Sequence, residues 1–137
     1  MRIIEEIWII NPSGVTIFNL SEGEKVDPQL IGGFFSAINS FIQQLGEKNL
    51  KTLILGRSKM TILQGFKKLL FIARSKKDAK NKKILKMLNF VEEEFKKKYN
   101  DILDDWDGDT EIFLDFGKNI EEIFNDTPEK RTKEALW

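Results

Sequence analysis

IIEEIWIINPSGVTIFNL, residues 3–20, consists of two apolar runs around a four-residue break. The first run, Ile3 to Ile10, is β-branched and aromatic, and Val15 to Leu20 has the composition of its returning partner, so the pair reads as a hairpin. Between them Asn11-Pro12-Ser13-Gly14 places proline second and glycine fourth, which suits a type I turn followed by a residue free to take positive φ. In the first run Trp8 and Ile10 lie on the face opposite Ile7 and Ile9. Both faces therefore need cover, and the strand is expected at the centre of a sheet.

Working outward, Ser21-Glu22-Gly23-Glu24-Lys25 is a polar turn, and Asp27-Pro28 gives a helix start with Asp as N-cap and Pro at the first helical position. Val26 and Ile31 are spaced for a hydrophobic staple. Apolar residues recur at Leu30, Ile31, Phe34, Phe35, Ile38, Phe41, Ile42 and Leu45, one broad helical face, and Gly46 supplies the stop. Leu50 to Leu55 alternates as a third strand, Gly56-Arg57-Ser58 turns it, and Met60 to Leu63 resumes before a break at Gln64-Gly65. Leu69 to Ala73 is continuously apolar, as an interior strand would be. Asp78 is the expected cap of a long helix whose inward stripe runs Ile84, Leu85, Leu88, Val91, Phe95, Tyr99, Ile102, Leu103 and Trp106. Gly108 breaks it, and Asp109 or Thr110 caps a last helix with Phe113, Phe116, Ile120, Ile123 and Phe124 inward. The order of elements is ββαβββαα, and a frayed tail is expected after Thr127-Pro128.

The chain has 137 residues, 41% hydrophobic and 32% charged, which fits one soluble domain, placed at 1–125 with a short tail at 126–137. The 22 Lys and Arg balance the 22 Asp and Glu. Without a net field, nucleic acid is not an expected partner. Cysteine and histidine are both absent, which removes thiolate chemistry, Cys-based zinc sites and the usual neutral-pH general base. Met1 to Glu6 carries two acids where a signal peptide would be apolar, so a cytoplasmic location is expected.

Few residue sets suggest chemistry. Asp104-Asp105-Trp106-Asp107-Gly108-Asp109 gathers carboxylates as calcium sites do, but aligning Gly108 with the glycine of an EF-hand loop puts Leu103 first and Leu114 twelfth, so both end ligands fail. A helix end, a glycine break and the next cap explain the same residues. No GxxxxGK[ST] or GxGxxG phosphate loop occurs, and Ser13, Ser36 and Ser58 have no histidine to activate them. Neither catalysis, a cofactor nor a metal is expected. Lys67-Lys68 and Arg74 to Lys83 are basic and could meet anionic lipid or an acidic partner, although most charge runs are only a solvated face.

Residues 28–46 hold no charged side chain. Interface cores are depleted in charge, and the wheel opposite the core stripe reads Gln29, Gly32, Ser36, Asn39, Ser40 and Gln43, with Gly33 and Ala37 at its edge. Such a face suits close approach by another backbone. The plain alternative is a helix sunk between the sheet and a loop of its own domain. A membrane span is disfavoured by Gln29, Asn39, Gln43 and Gln44. The third strand would be a sheet edge whose one charge is Lys51, open to strand addition. A two-fold interface is therefore expected from Gly33, Ser36, Ala37, Ser40 and Gln43 on the helix with Lys51, Leu53 and Leu55 on the edge.

The opening strand with its Gly14 hairpin, the Asp27-Pro28 start of a Phe34-Phe35 helix, Phe71-Ile72 in the fifth strand and the late Phe95 to Trp106 helix resemble the longin family, profilin-like domains of membrane-trafficking proteins. The resemblance covers about residues 2–125 and lies in the order of these segments. It implies an α+β fold, a five-stranded antiparallel sheet in the order 2-1-5-4-3 with one helix on one face and two on the other. It also implies a non-enzymatic adaptor that forms a homodimer or pairs with a related longin or roadblock domain, engages a small GTPase or trafficking factor, and meets membranes only indirectly. Roadblock domains normally begin with a helix, whereas this chain begins with a strand, and no heptad segment of the SNARE kind follows. The rival from the residues is a small-ligand sensor, with Thr16, Thr52, Thr61 and Gln64 as its available polar groups.

Overall fold

A computed structural model describes residues 3–21, 27–46 and 51–124, and the side chains through Glu121. The strands are β1 (Ile4–Ile10), β2 (Thr16–Ser21), β3 (Thr52–Leu55), β4 (Ser58–Gln64) and β5 (Leu70–Lys76), and the helices are α1 (Pro28–Gln44), α2 (Asn81–Asp104) and α3 (Phe116–Phe124). All strand pairs are antiparallel, in the order β2-β1-β5-β4-β3, as the resemblance implies. The two doubly apolar strands, β1 and β5, lie side by side in the interior of the sheet.

The hairpin turn forms as the sequence demands. Gly14 takes φ +88 and donates to the Asn11 carbonyl, while Asn11 Oδ1 accepts from the amides of Ser13 and Val15. The register shifts between Ile9 and Ile10, the bulge that accompanies such a turn. One sheet face buries Trp8, Ile10, Met60, Ile62, Leu70 and Ile72 beneath Phe35 of α1. The other buries Ile7, Ile9, Phe71 and Ala73 beneath Ile84, Leu88, Val91, Phe95 and Tyr99 of α2, together with Phe113, Phe116 and Ile120. Phe95 sits at the middle of this second core, its ring centroid 4.8–6.2 Å from those of Tyr99, Phe116, Phe113, Phe71 and Phe66. Edge-to-face and tilted contacts of this kind add to the large areas that the rings bury.

Several sequence expectations are corrected. Asp78 does not cap α2: the N-cap is Lys80, with no side-chain cap bond. Instead the buried Lys59 of β4 reaches across and its Nζ donates to the Ala79 carbonyl and to Asn81 Oδ1, tying β4 to the helix start. Leu85 and Ile102, expected inward, are exposed, because the buried stripe of α2 narrows to Ile84, Leu88, Val91, Phe95 and Tyr99. Asp109 caps a 3-10 turn, Thr110–Phe113, rather than the last helix, which starts at Phe116. A second 3-10 turn, Phe66–Lys68, bridges β4 and β5, and Glu92 of α2 accepts from the Phe66 amide at 2.7 Å. The expected staple at Val26, the turn at 22–25, the Leu50 strand start, the Ile123 and Phe124 side chains and the tail from 126 lie outside the described residues.

One charged group sits where the sequence reading placed none. Glu6 is fully buried on the α1 face of β1, and its Oε1 meets Arg74 Nη2 at 3.2 Å while Oε2 accepts from Asn19 Nδ2 at 3.2 Å. Arg74 is half-buried and also pairs with Glu5 at 3.1 Å. A buried carboxylate is tolerated when paired and hydrogen-bonded in this way.

Candidate functional site

The position of α1 is fixed at its first turn. Asp27 accepts from the Gln29 amide, and Gln29 clasps one residue of β2: its Oε1 accepts from the Thr16 amide at 3.0 Å and its Nε2 donates to the Thr16 carbonyl at 2.9 Å. The Thr16 hydroxyl donates to the Pro28 carbonyl. One turn later Gly32 lies so close to the hairpin that a Cβ there would stand 2.5 Å from the Gly14 carbonyl oxygen. A small residue at 32 is therefore what allows the helix to seat on the β1–β2 turn.

This seating decides which part of the broad apolar face is covered. Phe35 is buried, and Ile31, Ile38 and Ile42 are half-buried along the same side. Leu30, Phe34, Phe41 and Leu45 remain 67%, 44%, 58% and 61% exposed, with Gly33 and Ala37 exposed between them. Spacings of four, seven and four residues place these large side chains along one stripe of the helix. Beyond it the sheet ends at β3, a four-residue strand without a charge, on which Ile54 and Leu55 are exposed and Leu53 packs at the margin of the α1 core.

The residues expected at an interface are distributed as follows. Gly33, Ala37, Ser40, Gln43, Lys51 and Leu55 are exposed, and Ser36 and Leu53 are half-buried. The wheel opposite the core is nevertheless corrected. Gly32 is buried and Asn39 half-buried, and the backbone that Gly32 approaches is the chain's own hairpin rather than another molecule. The outward face is accordingly more apolar than expected, and Leu30, Phe34, Phe41 and Leu45 join it. The signal was present in the sequence: eight large apolar residues span more of a helix than one sheet face can cover.

Between the second half of α1 and the turns β1–β2 and β4–β5 runs an open groove, bordered by Asn11, Asn39, Gln43, Gln64 and Lys68. Its floor includes Leu70. Of the polar groups that a ligand sensor would need, Thr16 is occupied by Pro28, Thr61 is buried beneath α2 and Thr52 is half-buried, so only Gln64 reaches the groove. Among the described residues no group of three or more acids could hold a metal ion, and no helix is long and apolar enough to cross a membrane.

No protein-family profile matches this chain, and no curated protein matches it in sequence. Solved structures do match. The chain is similar to Myxococcus xanthus MglB, with a TM-score of 0.51 and 7% identity over 62% of this chain and 76% of that one. It also aligns with the gliding protein MglB from Thermus thermophilus, with a TM-score of 0.45 and 16% identity over 63% and 70% of the two chains. The first likeness, at so low an identity, bears on fold alone. Together with the strand order and the split of the helices between the two sheet faces, it supports a longin-like α+β fold.

Proposed function

We propose that this chain is a non-enzymatic, cytoplasmic interaction module that self-associates, or pairs with a related domain, through α1 and the β3 edge, and through that platform engages a small GTPase or vesicle-trafficking factor. The observation that carries the reading is the stripe Leu30, Phe34, Phe41 and Leu45, exposed on a helix that has no charged residue. Contiguous exposed apolar surface of this kind marks interaction sites, and the absence of Lys and Glu removes the desolvation cost of covering it. β3, the last strand of the sheet, pairs with β4 alone among the described strands and so offers a second point of attachment by strand addition. The choice of a GTPase rests on the resemblance to longin domains.

Pull-down of purified small GTPases, each loaded with GDP and with a GTP analogue, tests the partner. Retention of one GTPase with preference for one nucleotide state, lost in Phe34→Glu, supports the reading. Retention of none, in either state, contradicts it. A sensor reading has the open groove as its place, and a stability screen against metabolites separates the two. A rise of several degrees with one compound, abolished by Gln64→Ala, would favour sensing.

A further inference from the structure

Charge is sorted along this chain although its total is zero. Residues 51–91 hold twelve Lys and Arg and a single acid, Asp78, whereas residues 101–115 hold seven acids and no base. The fold gathers six of the nine exposed members of the first set at one end, while Lys67 and Lys68 lie in the turn between β4 and β5 and Lys51 precedes β3. Ser58 pairs with Lys76 at the sheet margin, the Lys77 amide donates to the Arg57 carbonyl at 2.9 Å, and Lys59 ties β4 to the start of α2. The β3–β4 turn, the end of β5 and the first turns of α2 therefore form one pole, with Arg57, Lys76, Lys77, Lys80, Lys82 and Lys86 all exposed. The acids lie at the other end of α2, about 36 Å away at 1.5 Å per residue, where Asp104 pairs with Lys67.

This order opposes the helix that carries it. The N-terminus of α2 bears partial positive charge and would be steadied by acids, yet its first turn has none and its N-cap is a lysine, while its last turn has no base. Local stability therefore does not account for the arrangement.

We propose that the basic pole is a docking surface for an anionic lipid bilayer, which the chain meets with α2 N-terminus down and its acidic end held away. Three observations favour a bilayer over an acidic protein. The exposed cations are all lysines except Arg57, point charges suited to a diffuse fluid surface rather than to fixed bidentate pairing. They come from three separate segments, the β3–β4 turn, the end of β5 and the start of α2, and so are spread over a surface rather than strung along one element. Leu85 and Phe90 are exposed on α2 beside Lys82 and Lys86, where apolar side chains can rest at the headgroup boundary. A neutral chain with separated charges gains little attraction at long range, so contact is reversible and orienting within a Debye length.

Co-sedimentation of the full chain with lipid vesicles tests this, independently of any GTPase or of dimer formation. Vesicles of phosphatidylcholine containing about one-third phosphatidylserine should bring the chain down, vesicles of phosphatidylcholine alone should not, and raising salt from about 0.05 to about 0.3 M should release it. The double variant Lys82→Glu/Lys86→Glu should lower apparent affinity by about tenfold or more. It should also keep or raise the thermal midpoint, because acids now stand near the helix N-terminus. Lys96→Glu/Lys97→Glu, on the same helix but outside the pole, should stay within about twofold of the parent. Equal binding to both kinds of vesicle, no binding to the anionic ones, or equal loss in the two double variants overturns the proposal. So does salt-sensitive self-association without vesicle binding, which would assign the pole to the acidic end of a second copy.

Discussion

Gly32 and Gly33 are adjacent and differ in what surrounds them. A Cβ on Gly32 would meet the Gly14 carbonyl oxygen at 2.5 Å and Thr16 Oγ1 at 2.7 Å, while one on Gly33 would meet nothing within 4 Å. Gly32→Ala should therefore cost about 2–3 kcal/mol by prising α1 from the hairpin, and Gly33→Ala should add about 0.5–1 kcal/mol through helix propensity. Urea unfolding of the two variants checks both. Tyr99 presents a similar contrast in one side chain. Its ring packs against Phe95 and Phe113, but its buried hydroxyl has no partner among the described residues. Burial, with a smaller effect from Asp115, raises its pKa above the ordinary 10.0. The folded state thus holds this proton more tightly than the unfolded state does, so stability is unaffected below pH 10 and falls as pH rises through the folded pKa. Tyr99→Phe should flatten that alkaline fall and leave stability at about pH 7 unchanged or higher by about 1 kcal/mol, measured as denaturant midpoints across pH.

At the scale of elements, local signals located what local chemistry builds and missed what distant contacts impose. The hairpin, the Asp27 cap, the Gly46 stop at φ +88 and the buried stripe of α2 were legible because turn residues and periodicity determine them. The start of α2 was not. Asp78 has the residue type of a cap, but Lys59, on a strand well upstream, holds the Ala79 carbonyl and the Asn81 side chain, and the helix begins after that tether. Its N-cap position is consequently open to improvement. Lys80→Asp supplies an acceptor for the free amides and a charge of the favourable sign, and should raise stability by about 1 kcal/mol. If the basic pole meets lipid as proposed, the same change should weaken vesicle binding, a stability gain joined to a loss of docking. Calorimetry and sedimentation on one sample read both.

For the whole molecule, the apolar residues on both faces of β1 and β5 marked these two as interior strands, since only strands with helices above and below can hide Trp8, Ile9, Phe71 and Ile72, while the full strand order was legible only through the resemblance to longin domains. The buried Glu6–Arg74 pair gave no such signal, because a carboxylate in an alternating strand reads as solvent-facing until its partner 68 residues away is placed beside it. The proposed docking face was half legible. Absence of charge marked α1 as unusual, but Gly32 and Ser36 lie against the chain's own hairpin, and Leu30, Phe34, Phe41 and Leu45 are exposed beside Gly33 and Ala37. The interface expected from Gly33, Ser36, Ala37, Ser40, Gln43, Lys51, Leu53 and Leu55 thus gains a set of stronger anchors, since large apolar side chains contribute more on burial than small ones.

Size-exclusion chromatography with light scattering, run on the chain at high micromolar concentration, weighs this surface most directly. A dimeric mass is expected for the parent, and a monomeric mass with unchanged circular dichroism for Phe34→Glu/Phe41→Glu and for Ser40→Arg/Gln43→Glu. A parent that stays monomeric, or a dimer that all four changes leave intact, would contradict self-association through α1.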